Sequence, residues 1–155
     1  MRVFRIGKAK YIPDLAGTGA RLFGGRWNYE GEGVLYTSEN RSLAMLETLV
    51  HSELHLLPDD LILITIEISY PVDGIEKVDL SEYEMNWKQY PQENFTKRIG
   101  SEWLNSNRSH ALSVPSAVMP MEKNILLNPA HPQHTDVKIV DSEPLKIDTR
   151  LVLRK

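Results

Sequence analysis

The sequence has no cysteine in 155 residues, which excludes disulfides, thiolate metal sites and a cysteine nucleophile, and fits a reducing compartment. It also lacks any stretch near the roughly 18 consecutive apolar residues that a membrane helix requires. Basic residues are not in excess: 18 Lys and Arg stand against 21 Asp and Glu, for a formal net charge of −3. No Lys/Arg run with interleaved aromatics is present, so nucleic acid is not an expected partner. The opening residues Val3-Phe4-Arg5-Ile6 read as a strand rather than the apolar core of a signal peptide. The expectation is a cytoplasmic protein without membrane attachment. Internal repeats and low-complexity tracts are absent too.

What is present is ordinary in amount, with 41% hydrophobic and 25% charged residues, and the length suits one domain with one real core. The segment Lys8 to Glu32 holds glycines at 17, 19, 24, 25 and 31 with little hydrophobic period, and reads as a long specialised loop. Gly33 to Thr37 reads as a short strand, and Ser38 or Asn40 is placed to cap a following helix. In that helix Leu43, Leu46, Val50, Leu54 and Leu57 recur in steps of three and four until Pro58. Leu61 to Ile68 is a β-branched, largely buried strand. A short strand around Ile75 to Val78 and an irregular acidic stretch to Gln92 follow.

Further along, a helix is expected from Asn94 or Thr96 through Leu104, with strands at Ala111 to Val114 and Ile125 to Leu127 and two more between Val137 and Leu153. Short strands outnumber helices and lack regular βαβ spacing. The expected class is therefore α+β: a single compact domain over 1–155, with mixed short-strand sheets and a few helices.

Glu47 stands out by periodicity, because it falls within the stripe of Leu43, Leu46, Val50 and Leu54. A carboxylate there needs a cation, hydrogen-bond donors or a polar cavity, since leaving it buried and unpaired costs several kcal/mol. Arg26, in Gly24-Gly25-Arg26-Trp27-Asn28, offers a planar fork for an anion beside glycines that permit positive φ and close ligand approach. The plainer alternative is a turn in which Trp27 anchors the loop and Arg26 is solvated or pairs with Glu47. Tyr36 points to the opposite face from Leu35 and is either a pocket wall or a core tyrosine. Ser116 ends a strand in Val114-Pro115-Ser116-Ala117 and is not part of a Gly-x-Ser-x-Gly elbow.

Two histidine pairs invite a metal reading and do not sustain it. His51 and His55 share a helix, but Glu53 is misplaced for His-Glu-x-x-His and no third ligand is evident; His131 and His134 flank a proline in a loop. No metal site is expected. Gly17-x-Gly19 lacks the third glycine and the strand–turn–helix setting of a dinucleotide fingerprint.

Taken in order, Arg5-Ile6, Gly24-Gly25-Arg26-Trp27-Asn28, Tyr36-Thr37-Ser38, Ala44-x-x-Glu47-x-Leu49-x-His51, Val114-Pro115-Ser116-Ala117 and Leu127-Asn128-Pro129-x-His131 resemble the RES domain family. The resemblance runs from Arg5 to His131. Each motif is weak alone; their order and separations make the set specific.

The resemblance implies an ADP-ribosyltransferase-like fold and a toxin of a toxin–antitoxin pair, partnered by an antitoxin with an Xre-like DNA-binding domain, and allows a homodimer within that complex. It implies NAD⁺ as substrate, with no resident cofactor and with inorganic phosphate as one candidate co-substrate. Carried over position by position, Arg26, Tyr36 and Glu47 become catalytic, and Arg5, Arg26, Tyr36 and Ser116 become NAD⁺-binding. The expected reaction is cleavage of the nicotinamide–ribose bond by hydrolysis or phosphorolysis. A mono-ADP-ribosyltransferase acting on a protein, and a non-catalytic nucleotide- or protein-binding module, stay open as alternatives.

Overall fold

The computed structural model describes residues 1–51, 57–69, 74–81, 87–88 and 94–151. In chain order the strands are β1 (Arg2–Lys8), β2 (Leu35–Ser38), β3 (Leu61–Glu67), β4 (Glu76–Lys77), β5 (Ala111–Pro115), β6 (Lys123–Leu127) and β7 (Lys138–Pro144). The helices are α1 (Thr18–Phe23), α2 (Arg41–Val50) and α3 (Asn94–Ser106). The strands form one seven-stranded sheet in the order β4-β5-β6-β2-β1-β3-β7. Only β4 and β5 run parallel; the remaining neighbours are antiparallel. This is the expected α+β class.

Alternation along the strands divides the core between the two faces of the sheet. Val3, Leu35, Ile64, Ile66, Ile125 and Leu127 pack together on one face, while Leu112, Val114 and Leu126 join Trp27, Trp87 and Trp103 on the other. Burying such side chains supplies about 1.5–3 kcal/mol each, and it fixes strand register, because a slip of one residue would turn every core side chain outward.

One seam in the sheet is incomplete. β1 pairs with β3 along its whole length, from Arg2↔Glu67 to Lys8↔Leu61, and β2 pairs with β6 from Leu35↔Leu127 to Ser38↔Asn124. Between β1 and β2 the register holds only at Phe4↔Ser38. The sheet forks there, and α2, which packs against both strands, stands beside the fork.

Helix α2 is capped by Asn40, whose side chain accepts from the Leu43 N–H at 2.8 Å. It ends at Val50, short of Pro58: the His51 N–H turns back to the Leu49 carbonyl. Leu57 and Pro58 lie outside any helix, and Leu54 lies outside the described residues. The apolar period records which side chains prefer burial, and it outlasts the hydrogen-bond ladder.

Two further expectations are corrected. The segment Lys8 to Glu32 is not all loop: it contains a 3-10 turn, Ala9–Tyr11, and α1. Helix α1 buries none of its residues, so it leaves no hydrophobic stripe to read. Instead Asp14 accepts from the Ala16 and Thr18 N–H groups at its start. Among the described residues the C-terminal region holds one strand, β7, followed by a 3-10 turn at Thr149–Leu151, where two strands were expected; Val152 and Leu153 lie outside the described residues. The Arg150 N–H is drawn to the Asp148 carboxylate there, which favours a turn over an extended chain. No described helix is long and apolar enough to cross a membrane.

Candidate active site

A cleft of about 620 Å³ opens at the fork, lined by Phe4, Arg5 and Ile6 of β1, Tyr36 and Ser38 of β2, Glu47 and His51 from α2 and its end, and the Gly24–Trp27 loop. Its size falls within the roughly 300–1,000 Å³ of sites that take whole small-molecule ligands.

Glu47 comes from the second turn of α2 and is half-buried. Its Oε1 accepts from the Ser116 hydroxyl at 2.7 Å and from Asn124 Nδ2 at 2.6 Å. Hydrogen bonds to a charged group contribute about 1.5–3 kcal/mol each, so two neutral donors meet the desolvation demand that its place in an apolar stripe creates. Among the described residues no ion pair joins Glu47 to Arg26; the structural ion pair that the sequence left open is not how the carboxylate is satisfied.

Ser116 is fully buried. While donating to Glu47 it accepts from the Val118 and Met119 N–H groups, both at 3.1 Å. Its hydroxyl is therefore committed beneath the cleft wall, with Pro115 and Ala117 on either side forming the lining.

The Arg26 loop is built by packing and by one hydroxyl. Gly24 takes φ 66° and donates to the Ala20 carbonyl, closing α1. Trp27 is buried in the core, and its N–H donates to the Tyr36 hydroxyl at 3.0 Å, which itself donates to Asn28 Oδ1 at 2.8 Å. Asn28, also fully buried, holds its Nδ2 within 2.9 Å of the Ala20, Tyr29 and Glu32 carbonyls. Burial raises the Tyr36 phenol above its ordinary pKa, against the opposing pull of the Trp27 N–H and the Arg26 charge. Tyr36 is thus both a cleft wall and the clasp of the loop.

Gly24 uses the left-handed region, but Gly25 does not. A Cβ at Gly25 would lie 2.6 Å from the Tyr36 hydroxyl, so its bareness makes room for a side chain of the protein itself.

Arg26 is half-buried and donates through Nη1 to the Trp87 carbonyl at 2.7 Å. Desolvation lowers its pKa, with Glu47 and then Tyr36 acting in the opposite sense. Arg5 donates through Nη1 to the Asp14 carbonyl at 2.7 Å, and burial likewise lowers its pKa, partly offset by Asp14. Two incompletely solvated guanidiniums beside one fixed carboxylate make a site suited to an anion that carries a developing positive charge nearby.

Arg5, Arg26, Tyr36 and Glu47 therefore share one cleft, and Ser116 supports it from below. Sequence reasoning missed Asn124, which is joined to Ser38 and Glu47, and Phe23, which lines the mouth and is 80% exposed. Asn124 carried a signal, since on β6 it shares a face with the buried Leu126; Phe23, on a helix with no buried residue, carried none.

Among the described residues no cluster of His, Asp and Glu is arranged to hold a metal ion. His55 lies outside the described residues. His131 and His134 gather instead around the buried His110: the His131 ring stacks on it, and His134 Nδ1 lies 2.9 Å from His110 Nε2.

The chain is similar in sequence and in fold to proteins already known. A "Toxin Res" of Photorhabdus laumondii subsp. laumondii is 38% identical over 157 residues, covering 100% of this chain and 99% of its own length. A "Prs ADP-ribosylating toxin" of Sphingobium sp. is 36% identical over 140 residues, covering 90% of this chain and 87% of its own. The crystal structure of the M. tuberculosis MbcT–MbcA toxin–antitoxin complex contains a chain with a similar fold, at TM-score 0.74 and 18% identity, matching 93% of this chain and 83% of that one. The RES domain profile matches residues 2–148, and the chain belongs to the RES domain family.

Proposed function

We propose that this chain is the toxin of a toxin–antitoxin pair, that it works inside the cell that makes it, and that it acts on NAD⁺ by breaking the nicotinamide–ribose bond. The observation that carries the reading is Glu47, held by Ser116 and Asn124 at the wall of a cleft that also contains Arg26 and Arg5.

Breaking the C1′–N1 bond sends its electron pair to the pyridinium nitrogen, so nicotinamide leaves neutral and positive charge builds on the ribose. A fixed carboxylate stabilises that charge electrostatically as it develops. The arginines suit the pyrophosphate, which accepts the paired hydrogen bonds a guanidinium fork offers. Tyr36 and the exposed ring of Phe23 offer aromatic faces to the two bases. The leaving group needs no protonation, in keeping with a site built on one carboxylate. The acceptor's oxygen then bonds to C1′; water would give ADP-ribose and a proton, and phosphate a phosphorylated product.

Incubating the purified protein with NAD⁺, with and without inorganic phosphate, and identifying products by mass spectrometry tests this directly. Nicotinamide release by the wild type and its loss in a folded Glu47→Gln variant are expected; equal turnover by both would sink the assignment. A second reading, transfer of ADP-ribose to a protein, is favoured by the Sphingobium relative's name. Radiolabelled NAD⁺ separates the two, since label on a protein supports transfer and label confined to small products supports degradation.

The expected partner is an antitoxin with an Xre-like DNA-binding domain. The similar fold solved within a toxin–antitoxin complex supports an antitoxin partner. Added antitoxin should suppress nicotinamide release.

A further inference from the structure

We infer that Asn124 is a positioning residue for Glu47, the central member of a side-chain relay running Ser38–Asn124–Glu47–Ser116 along the cleft wall; the inference rests on Glu47 working on NAD⁺ as proposed. Asn124 sits on β6 directly opposite Ser38 of β2, on the sheet face from which α2 presents Glu47.

The polarity of the relay follows from chemistry. A carboxylate only accepts, so the amide must turn its NH₂ toward Glu47, leaving its carbonyl oxygen toward Ser38. The Ser38 hydroxyl donates to that oxygen at 2.8 Å, and Asn124 Nδ2 donates to Glu47 at 2.6 Å. From the other side Ser116 donates to the same carboxylate oxygen, its own orientation set by the Val118 and Met119 N–H groups.

Both donors converge on Oε1. The carboxylate is gripped by one oxygen from two directions, which fixes its plane and leaves Oε2 as the oxygen that serves the substrate. Neither donor brings a charge, so neither offsets the negative charge that Glu47 presents to a cation forming in the cleft. A lysine or arginine in place of Asn124 would hold the carboxylate as firmly and cancel much of its field. The amide therefore supplies order without neutralisation, the requirement for preorganised electrostatic stabilisation.

A positioning role predicts a particular pattern of loss. Asn124→Ala removes the donor and Asn124→Asp replaces it with an acceptor of the same shape. Both should lower kcat for nicotinamide release by roughly 10–100-fold, the scale on which partners that orient a functional group act, with the KM for NAD⁺ changed less than about threefold. Ser38→Ala, which only frees the amide to turn, should cost less.

The discriminating measurement is the Glu47→Gln/Asn124→Ala double variant. If Asn124 acts through Glu47, its substitution costs almost nothing more once the carboxylate is gone. Independent multiplication of the two effects, or a raised KM with unchanged kcat in Asn124→Ala, would overturn the inference and make Asn124 a direct substrate contact. Crystal structures of Asn124→Ala and Asn124→Asp separate this from the NAD⁺ reading itself. If the wild type releases no nicotinamide, that reading falls; Glu47 leaving its place in the variants still upholds the relay, and Glu47 unmoved overturns it.

Discussion

A Cβ added to Gly25 would lie 2.6 Å from the hydroxyl of Tyr36 and 2.8 Å from Asn28 Oδ1. Real carbon atoms do not approach oxygen so closely, and neither oxygen can retreat, because each is hydrogen-bonded to the other and Tyr36 also holds the Trp27 N–H. Gly25→Ala should therefore push the Tyr36 ring aside and carry Arg26, one residue along, with it. A displacement on the order of 1 Å at a positioned group costs roughly 100-fold in rate. The expected outcome is loss of most nicotinamide release with a folded protein by circular dichroism; wild-type kinetics in Gly25→Ala would show that the loop does not depend on this contact.

Tyr36→Phe makes the complementary change. The ring stays and the hydroxyl goes, so the Trp27 N–H and Asn28 Oδ1 each lose a partner in a largely buried setting. Leaving such groups unsatisfied costs about 1–3 kcal/mol, and urea unfolding of Tyr36→Phe should show a loss of that size. Activity should fall along with stability. Unchanged stability would mean that water or another side chain replaces the phenol.

Gly100 of α3 faces the same loop from outside the cleft. A Cβ there would meet the Trp27 carbonyl oxygen at 1.8 Å, a clash between helix and loop backbones with no flexible side chain to yield. Gly100→Ala should destabilise the protein by about 3 kcal/mol, at the high end for an overpacked contact, despite alanine's better helix propensity. Denaturant midpoints compared at equal m-values would check it, and a stabilised variant would exclude the contact.

These residues show where the sequence was informative. Leu61 to Ile68 announced itself as a strand because a β-branched run between an acidic turn and a proline has few other uses, and Ala111 to Val114 is a short run stopped by Pro115; β3 and β5 fall there. Glu47 was legible because a carboxylate in an apolar stripe conflicts with its surroundings, and such conflicts gather at functional sites. Arg26, Tyr36 and Ser116 were each ambiguous, and became candidates only through their joint spacing and the family resemblance.

What stayed hidden depended on partners distant in the chain. The bond from Ser116 to Glu47 spans 69 residues and that from Asn124 spans 77, so no local pattern announces either. The fork between β1 and β2, which creates the cleft, is a matter of pairing between strands and leaves no trace in either strand alone. Helix α1 was missed because its residues are not buried and its stability comes from Asp14 and Gly24 at its ends.

Acid sensitivity should come from the histidines rather than from the cleft. His134 Nε2 lies 2.9 Å from the Leu15 carbonyl, which can only accept, so that nitrogen carries the hydrogen and Nδ1 is left to accept from His110 Nε2 at 2.9 Å. A proton added to His134 Nδ1 would set N–H against N–H. Burial, followed by the nearby His134 and His131, pushes the His110 pKa down to about 4, and burial lowers that of His134. The unfolded chain, with histidines near pH 6.5, thus binds more protons than the folded one between about pH 6.5 and pH 4. Stability is fully present above that window and is lost as pH falls through it. A loss on the order of 2 kcal/mol is expected from His110 between pH 7.5 and pH 4.5, measured by urea unfolding at intervals of half a pH unit. His110→Gln removes the titrating ring and should flatten the curve in this window. A slope unchanged by that substitution would place the acid sensitivity elsewhere in the molecule.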